Sequence, residues 1–308
     1  MLLGILFKIL STLAFTAMAV GVRLAAPRIP IAEIVFFRSV VALALLVAWL
    51  WSRGGFPAQL TTRRPLGHLG RGLSGAAGMF ANFTSLALLP LADATAYFYA
   101  SPIFVTLIAA WALRENVHAS RWVAVLIGFG GVLAMLSEHV GFGDIAENLG
   151  AQGVGAGVAL AGAAFAALSI IQTRRLAASE YTAAIVFYFT CLTTFAGAAA
   201  LAFAHFAPSL LPSQAFVMPE ARDLAALVGA GLMGGVAQIF VTTSYRYADA
   251  SLLASYDYFA MVWALIASLL VFGQWPTDAV LIGAAAIAGS GLLALFGERA
   301  FARPAVPE

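Results

Sequence analysis

The chain has 308 residues, of which 62% are hydrophobic and 10% charged, where soluble domains hold about 45–50% apolar and about 25% charged residues. That composition excludes a soluble globular domain and describes a protein whose surface meets a lipid bilayer. The formal net charge of +2 gives no electrostatic case for nucleic acid, and one cysteine, Cys191, with four histidines in no CxxC or HExxH pattern, offers neither an intrachain disulfide nor a metal site.

A bilayer core of about 30 Å takes about 20 apolar residues of helix. Runs of that length between charges, prolines and glycine-rich turns predict ten spans: residues 3–23, 31–52, 67–89, 92–113, 120–137, 152–173, 180–205, 223–245, 249–272 and 277–297. Only the connections near 138–150 and 206–222 have the length and polarity of real loops. The first span could be read as a cleaved signal peptide ending near Ala17-Met18-Ala19. Lys8 interrupts its apolar run and the segment takes part in an internal repeat, so it is expected to remain.

Basic loop residues are retained in the cytoplasm. With both termini inside, Arg53, Arg63, Arg64, Arg114 and Arg121 fall on the cytoplasmic side. So do Arg174, Arg175, Arg246, Arg299 and Arg303, against only Arg23, Arg28 and Arg222 outside. Lys8, Arg38 and Arg71 fall within spans.

Four short identities recur in order along the chain. Arg23-Leu24-Ala25-Ala26 returns as Arg175-Leu176-Ala177-Ala178, and Ile34-Val35-Phe36 as Ile185-Val186-Phe187. Ala92-Asp93-Ala94 returns as Ala248-Asp249-Ala250, and Ala124-Val125-Leu126-Ile127-Gly128 as Ala279-Val280-Leu281-Ile282-Gly283. The offsets are 152, 151, 156 and 155, so two halves, 1–150 and 151–308, are predicted. Five spans is an odd number, and the second half must therefore enter the membrane in the opposite sense to the first. Such inverted repeats are how many secondary transporters build two exchangeable conformations around a midplane site.

The residues then carry a resemblance. Ten spans in two halves, the junction Pro90-Leu91-Ala92-Asp93-Ala94 leading to a span with Ser101-Pro102 in its middle, and an Arg114-Glu115 turn before a glycine-rich fifth span resemble the EamA-type members of the drug/metabolite transporter superfamily. Within that family the sequence is most similar to the YddG-type amino-acid exporters of the bacterial inner membrane. In the second half Gln274 stands where a glutamate would match Glu115, and Tyr258 or Phe259 where Pro102 would, which implies unequal contributions of the halves to the site.

Candidate site residues follow from chemistry and from that resemblance. Residues 229–234 satisfy GxGxxG, but without a strand and a βαβ unit the match is not a dinucleotide fingerprint. The chain's glycine clusters are read as close helix packing, with hinge function secondary. Asp93 and Asp249 each begin a span after a tight turn and are read, with Pro102, as structural, the carboxylates interacting with the helix dipole. Asp257 lies eight residues beyond Asp249, about 12 Å into its helix, where an ionisable group is a functional candidate needing a partner. Lys8, at comparable depth in the first span, is that partner, and the pair would gate a pathway or couple transport to a proton. Glu33, Arg38 and Arg71 are read as snorkelling to the interface. The resemblance implies a cavity lined by the third, fourth, eighth and ninth spans, making Asn82, Tyr97, Tyr99, Ser101, Gln238, Tyr245, Tyr256 and Tyr258 the candidate substrate contacts.

The reading is therefore an all-α, ten-helix multi-pass transporter of the bacterial inner membrane with cytoplasmic termini. It would act as monomer or homodimer and export small metabolites, most of all amino acids, without a cofactor, since nothing resembles an ATP-binding loop. A sugar, nucleotide-sugar or drug carrier of the same superfamily is the first alternative, and an intramembrane enzyme the second. The enzyme reading lacks its parts in the sequence: Asp257 has no second carboxylate and Cys191 no neighbouring histidine.

Overall fold

The computed structural model describes residues 2–98, 100–112, 122–123, 126–131, 133–134, 150–177, 179–206, 216–244, 247, 256 and 259–301, and no strand occurs among them. The first half contributes α1 (Leu2–Ala25), α2 (Ile31–Ser52), α3 (Pro65–Leu88), α4 (Leu91–Phe98) and α5 (Ser101–Ala112). The second contributes α6 (Ala151–Ala177), α7 (Thr182–Phe206), α8 (Ala221–Ser244), α9 (Phe259–Phe272) and α10 (Asp278–Phe301).

Local chemistry sets the ends of these helices. α2 starts directly after Pro30 and α3 on Pro65, because proline's fixed φ suits a first turn that has no use for its missing N–H. α2 and α9 stop where Gly54 and Gly273 take positive φ, 66° and 61°, a cost-free left-handed turn only for glycine. At Gly273 the reversal is closed by Gln274 N–H donating to the Ser268 carbonyl at 3.0 Å, which fixes where the Gln274 side chain begins.

By length and composition α1, α2, α7, α8 and residues Gln152–Thr173 of α6 can cross a membrane. α3 is as long as these, but His68, Arg71 and its glycines and serines lower its apolarity. The fourth predicted span is two helices. α4 and α5 are separated by a turn at Ala100, and Pro102 sits in the first turn of α5 instead of mid-helix. This follows from a residue that cannot donate to the ladder, so that no helical hydrogen bond can run from Pro102 back to Phe98. The expected turn at Arg114-Glu115 lies outside the described residues.

Apolarity is distributed inside out. Leu66, Phe195, Phe206 and Leu270 are each more than two-thirds exposed, while Lys8, Glu33, Arg38, His68, Arg71 and Asp93 are buried. Lipid makes such a surface inexpensive, and the interior can then hold polar groups that a water-soluble core would exclude. The main core joins both halves, with Val22, Ile34, Phe83 and Tyr97 of the first packed among Ala156, Leu227, Ala264 and Ile287 of the second.

Packing partners are exchanged between the halves. α1 runs antiparallel to α8, with Gly21 against Ala226 and Ala230 at one end and Phe7 in tilted contact with Phe240 and stacked on Tyr247 at the other. α3 runs antiparallel to α6, from Gly67 at Leu176 to Leu88 and Leu89 at Gly155. α2 faces α7 and also α8, while α7 in turn faces α3. Two glycines mark these last crossings. A Cβ on Gly75 of α3 would lie 2.6 Å from the Phe189 ring of α7, and one on Gly231 of α8 would lie 3.0 Å from the Arg38 carbonyl of α2. Gly75 and Gly231 are 156 positions apart, and Arg38 and Phe189 151, two of the offsets at which the sequence repeats.

Candidate functional site

α1 turns a polar stripe inward. Lys8, Ser11, Thr12 and Thr16 are buried at helical spacing, while Leu2, Leu6 and Leu13 point outward. The hydroxyls donate to carbonyls of their own helix, Ser11 Oγ to Lys8 at 2.7 Å and Thr16 Oγ1 to Thr12 at 3.0 Å. This leaves Lys8, 3% exposed, as the only ionisable group of the stripe. Between the Gly21 and Phe7 contacts, the antiparallel alignment sets Gln238 of α8, half-buried, level with Ser11 and Thr12. Lys8 and Gln238 therefore stand within about one turn of each other in level along the α1–α8 pair.

Arg38 and Arg71 do not snorkel, contrary to the expectation from sequence. Arg38 is 4% exposed, with its guanidinium 5.8 Å from the Phe83 ring centroid and donating to the Met79 thioether of α3. Arg71, 8% exposed, lies 3.8 Å from the Phe189 centroid and donates Nε to Thr173 Oγ1 of α6 at 3.1 Å. The correction has a physical cause. Snorkelling serves a side chain that faces lipid, whereas these two lie on helix faces that meet other helices. Glu33 is likewise buried, and it accepts the Val217 N–H at 3.0 Å, tying the segment before α8 to α2.

The other predicted contacts divide. Tyr97 on α4 is fully buried within the core, and Ser101 at the start of α5 is buried with its Oγ lacking a hydrogen bond. Asn82 on α3 is half-buried at the α3–α6 contact, where Gly162 approaches its backbone. Tyr256 is half-buried and stacked on Phe259, with centroids 6.1 Å apart. The structure brings Tyr97 and Ser101 to one α4–α5 corner facing α9 and α6. Asp93 is in the first turn of α4, two residues past its start, where it acts electrostatically on Arg23. Tyr99, Tyr245, Asp249, Asp257 and Tyr258 lie outside the described residues.

At the end of the molecule where α1, α3 and α9 finish and α8 begins there is a cleft of about 430 Å³. Arg23, Arg28, Arg222 and Asp223 supply its charge, and Leu24, Pro27 and Phe272 its apolar wall. Arg23 donates to the Leu86 carbonyl at 2.7 Å and to Gln274 at 3.4 Å, and lies over the Phe272 ring. Arg28 is bidentate on Glu220, and its hydrogen bonds and charge hold that carboxyl below its usual range. At the opposite end His68 Nε2 lies 3.6 Å from the Glu180 carboxylate, which accepts the Arg63 N–H at 2.9 Å.

Residues 2–137 match the EamA-like transporter family. That match covers a little under half of the chain. EamA-like proteins are carriers and not enzymes. Curated relatives cover nearly the whole chain. An S-adenosylmethionine uptake transporter of Rickettsia felis is 27% identical over 97% of this chain and 94% of its own length. A pseudopaline exporter of Pseudomonas aeruginosa is 28% identical over 91% of each chain. A riboflavin transporter of Rhizobium johnstonii is 29% identical over 96% of this chain and 91% of its own. A crystal structure at 23% identity, covering 97% of this chain and 98% of its own, superimposes with a TM-score of 0.67, which shows the shared fold.

Lys8 is a candidate from sequence, whereas the inward direction of Arg38, Arg71 and the hydroxyls beside Lys8 comes from the structure. The signal was present in the helical period. Lys8, Ser11, Thr12 and Thr16, and likewise Arg71 with Ser74, share one face at i, i+3, i+4 spacing, the pattern of an inward stripe in a helix whose other faces are apolar.

Proposed function

We propose that this protein is a secondary transporter that moves small organic metabolites, amino acids foremost, across the bacterial inner membrane by alternating access. In this reading residues 1–150 and 151–308 form two inverted five-helix repeats. The exchange of packing partners carries it: α1 lies on α8 as α6 lies on α3, and the Gly231–Arg38 crossing has its counterpart in Gly75–Phe189. A two-fold axis in the membrane plane generates those pairs, and helices related in this way can rock about one midplane site.

Cytoplasmic termini suit the charge at the two ends. Arg53, Arg63, Arg64 and Arg175 gather at the end where α1 starts, against Arg23, Arg28 and Arg222 at the cleft. The polar α1–α8 surface with Lys8 and Gln238, and the α4–α5 corner with Tyr97 and Ser101, would line the pathway. Asn82, Tyr99, Tyr245, Tyr256 and Tyr258 complete the proposed substrate contacts, and Lys8 with Asp257 the gating or proton-coupling pair. The outward direction rests on the resemblance to amino-acid exporters.

Purified protein reconstituted in liposomes, given a panel of labelled amino acids with and without a proton gradient, tests this reading. Saturable flux of at least one amino acid is expected, and no flux of any would sink the amino-acid claim. In the same assay Asp257→Asn should keep transport while losing its response to pH; unaltered transport would remove Asp257 from coupling. The buried arginines favour one second reading, a carrier of more highly charged anions such as nucleotide sugars, which the same liposomes test with labelled nucleotide sugars.

A further inference from the structure

Arg38 and Arg71 pose a problem that packing does not solve. Both are almost wholly buried, and among the described residues neither meets a carboxylate. Withdrawing an isolated ion from water costs several kcal/mol, and a cation–π contact returns roughly 0.5–2 kcal/mol. Each guanidinium also keeps an N–H with no hydrogen-bond partner, Nε of Arg38 and Nη1 of Arg71. Both orphaned groups face a glycine. A Cβ on Gly234 of α8 would stand 3.5 Å from Arg38 Nε, and one on Gly75 of α3 would stand 3.2 Å from Arg71 Nη1. Met18 Sδ, 2.9 Å from the Gly234 position, and the Phe189 ring, 2.6 Å from the Gly75 position, close these places in this conformation, so each N–H is sealed beside a glycine at a crossing between one half of the chain and the other.

The two guanidiniums stand at different depths along one wall. Arg71 is six residues into α3, about 9 Å from the end of that helix where α1 begins. Arg38 lies against Met79 and Phe83 of the same helix, eight and twelve residues further on, on the order of 12–18 Å along the axis. Arg38 is also seven residues into α2, about 10 Å from the cleft end. The bilayer is therefore served by one uncompensated guanidinium in each half, and α3 connects them.

From this we infer that Arg38 and Arg71 are two stations for the anionic group of the transported solute, an organic carboxylate held at Arg38 on the cleft side and at Arg71 on the opposite side. A guanidinium fork matches a carboxylate bidentately, as a lysine point charge does not. Phe83 and Phe189, beneath the two guanidiniums, offer an apolar surface to the rest of the molecule. Rocking of the halves opens the Gly234 crossing or the Gly75 crossing in turn, presenting one orphaned N–H at a time. The inference rests on the carrier reading and deepens it by naming the charge the solute must bear.

Binding is measured on the purified full chain in neutral detergent, by calorimetry, with matched probes: N-acetylated phenylalanine, leucine and glutamine, each as the free carboxylate and as the amide. At least one carboxylate should bind about tenfold more tightly than its amide, the scale of a charge-assisted hydrogen bond. Arg38→Gln and Arg71→Gln should each reduce that preference, and the double variant should erase it. Arg38→Lys and Arg71→Lys, which keep the charge and safeguard against a glutamine variant that does not fold, should retain only part of it. Equal binding of acid and amide across the panel, or a full preference in the glutamine or lysine variants, overturns the inference. So does displacement of the probe by phosphatidylglycerol, which would assign the guanidiniums to lipid headgroups. Because binding is read without transport, a carrier of neutral solutes would fail here and still pass the liposome assay.

Discussion

Gly231→Ala tests the close crossing on which the proposed two-fold arrangement depends. The added Cβ would sit 2.5 Å from Val41 Cβ and 3.0 Å from the Arg38 carbonyl oxygen. Neither atom can rotate away, since one is the root of a β-branched side chain and the other is backbone, so α8 must move off α2. Overpacking of this kind costs about 1–3 kcal/mol. Alanine's better helix propensity returns about 1 kcal/mol, for a net loss of about 0–2 kcal/mol. The control lies two residues away: Gly229 has nothing within 4 Å of a Cβ, and Gly229→Ala should gain the propensity alone. The two variants are then separated by about 1–3 kcal/mol, or roughly 2–12 °C in apparent unfolding temperature by the scaling for chains of 150–250 residues. Gly75→Ala should fall between them, because the atom it meets is the edge of the Phe189 ring, which can swing. Apparent unfolding temperatures in one detergent, read by intrinsic fluorescence, give the order Gly229→Ala, Gly75→Ala, Gly231→Ala from most to least stable. Equal midpoints for the Gly229 and Gly231 variants would refute the close crossing.

Three further outcomes are expected. Gly273→Ala puts a Cβ on a residue at φ 61° and should cost about 1 kcal/mol; it also loosens the Gln274 acceptor of Arg23, so a thermal midpoint unchanged from wild type would contradict the assigned turn. Arg38→Met removes a buried ion that has no carboxylate partner among the described residues and should leave stability equal or raise it by up to about 1–4 kcal/mol, whereas a loss above about 3 kcal/mol would reveal a compensating charge. The hydrogen bonds and charge of Arg28 hold the Glu220 carboxyl below its usual range. A depressed folded-state value means the contact stabilises above the ordinary carboxylate range and is lost as pH falls through the lowered value, so the midpoint should fall less steeply below pH 4.5 in Glu220→Gln than in wild type. Parallel curves would remove the Arg28–Glu220 contact from the stability of the cleft.

The all-helical, membrane-compatible character was legible because lipid enforces it: among the described residues five helices are long and apolar enough to cross a bilayer. What was misread was direction. Residues such as Arg38 and Arg71 look able to snorkel when only distance to a span end is considered, and the helix face that decides the matter depends on which neighbours pack there. Ser101-Pro102 was recognised but taken as interior to one helix, although proline's missing N–H makes it a natural first-turn residue of a second. The α1 stripe was available from periodicity alone, while the cleft, assembled from α1, α3, α8 and α9, joins segments that no local pattern connects.

Entrance counterflow tests the central claim most directly. Liposomes holding the purified chain and loaded with an unlabelled amino acid are diluted into trace labelled amino acid, with no ion gradient. A carrier that exposes one site alternately to either side predicts transient accumulation of label above equilibrium, scaling with the internal load. Simple equilibration, with no overshoot at any load for any amino acid that the chain carries, would contradict alternating access.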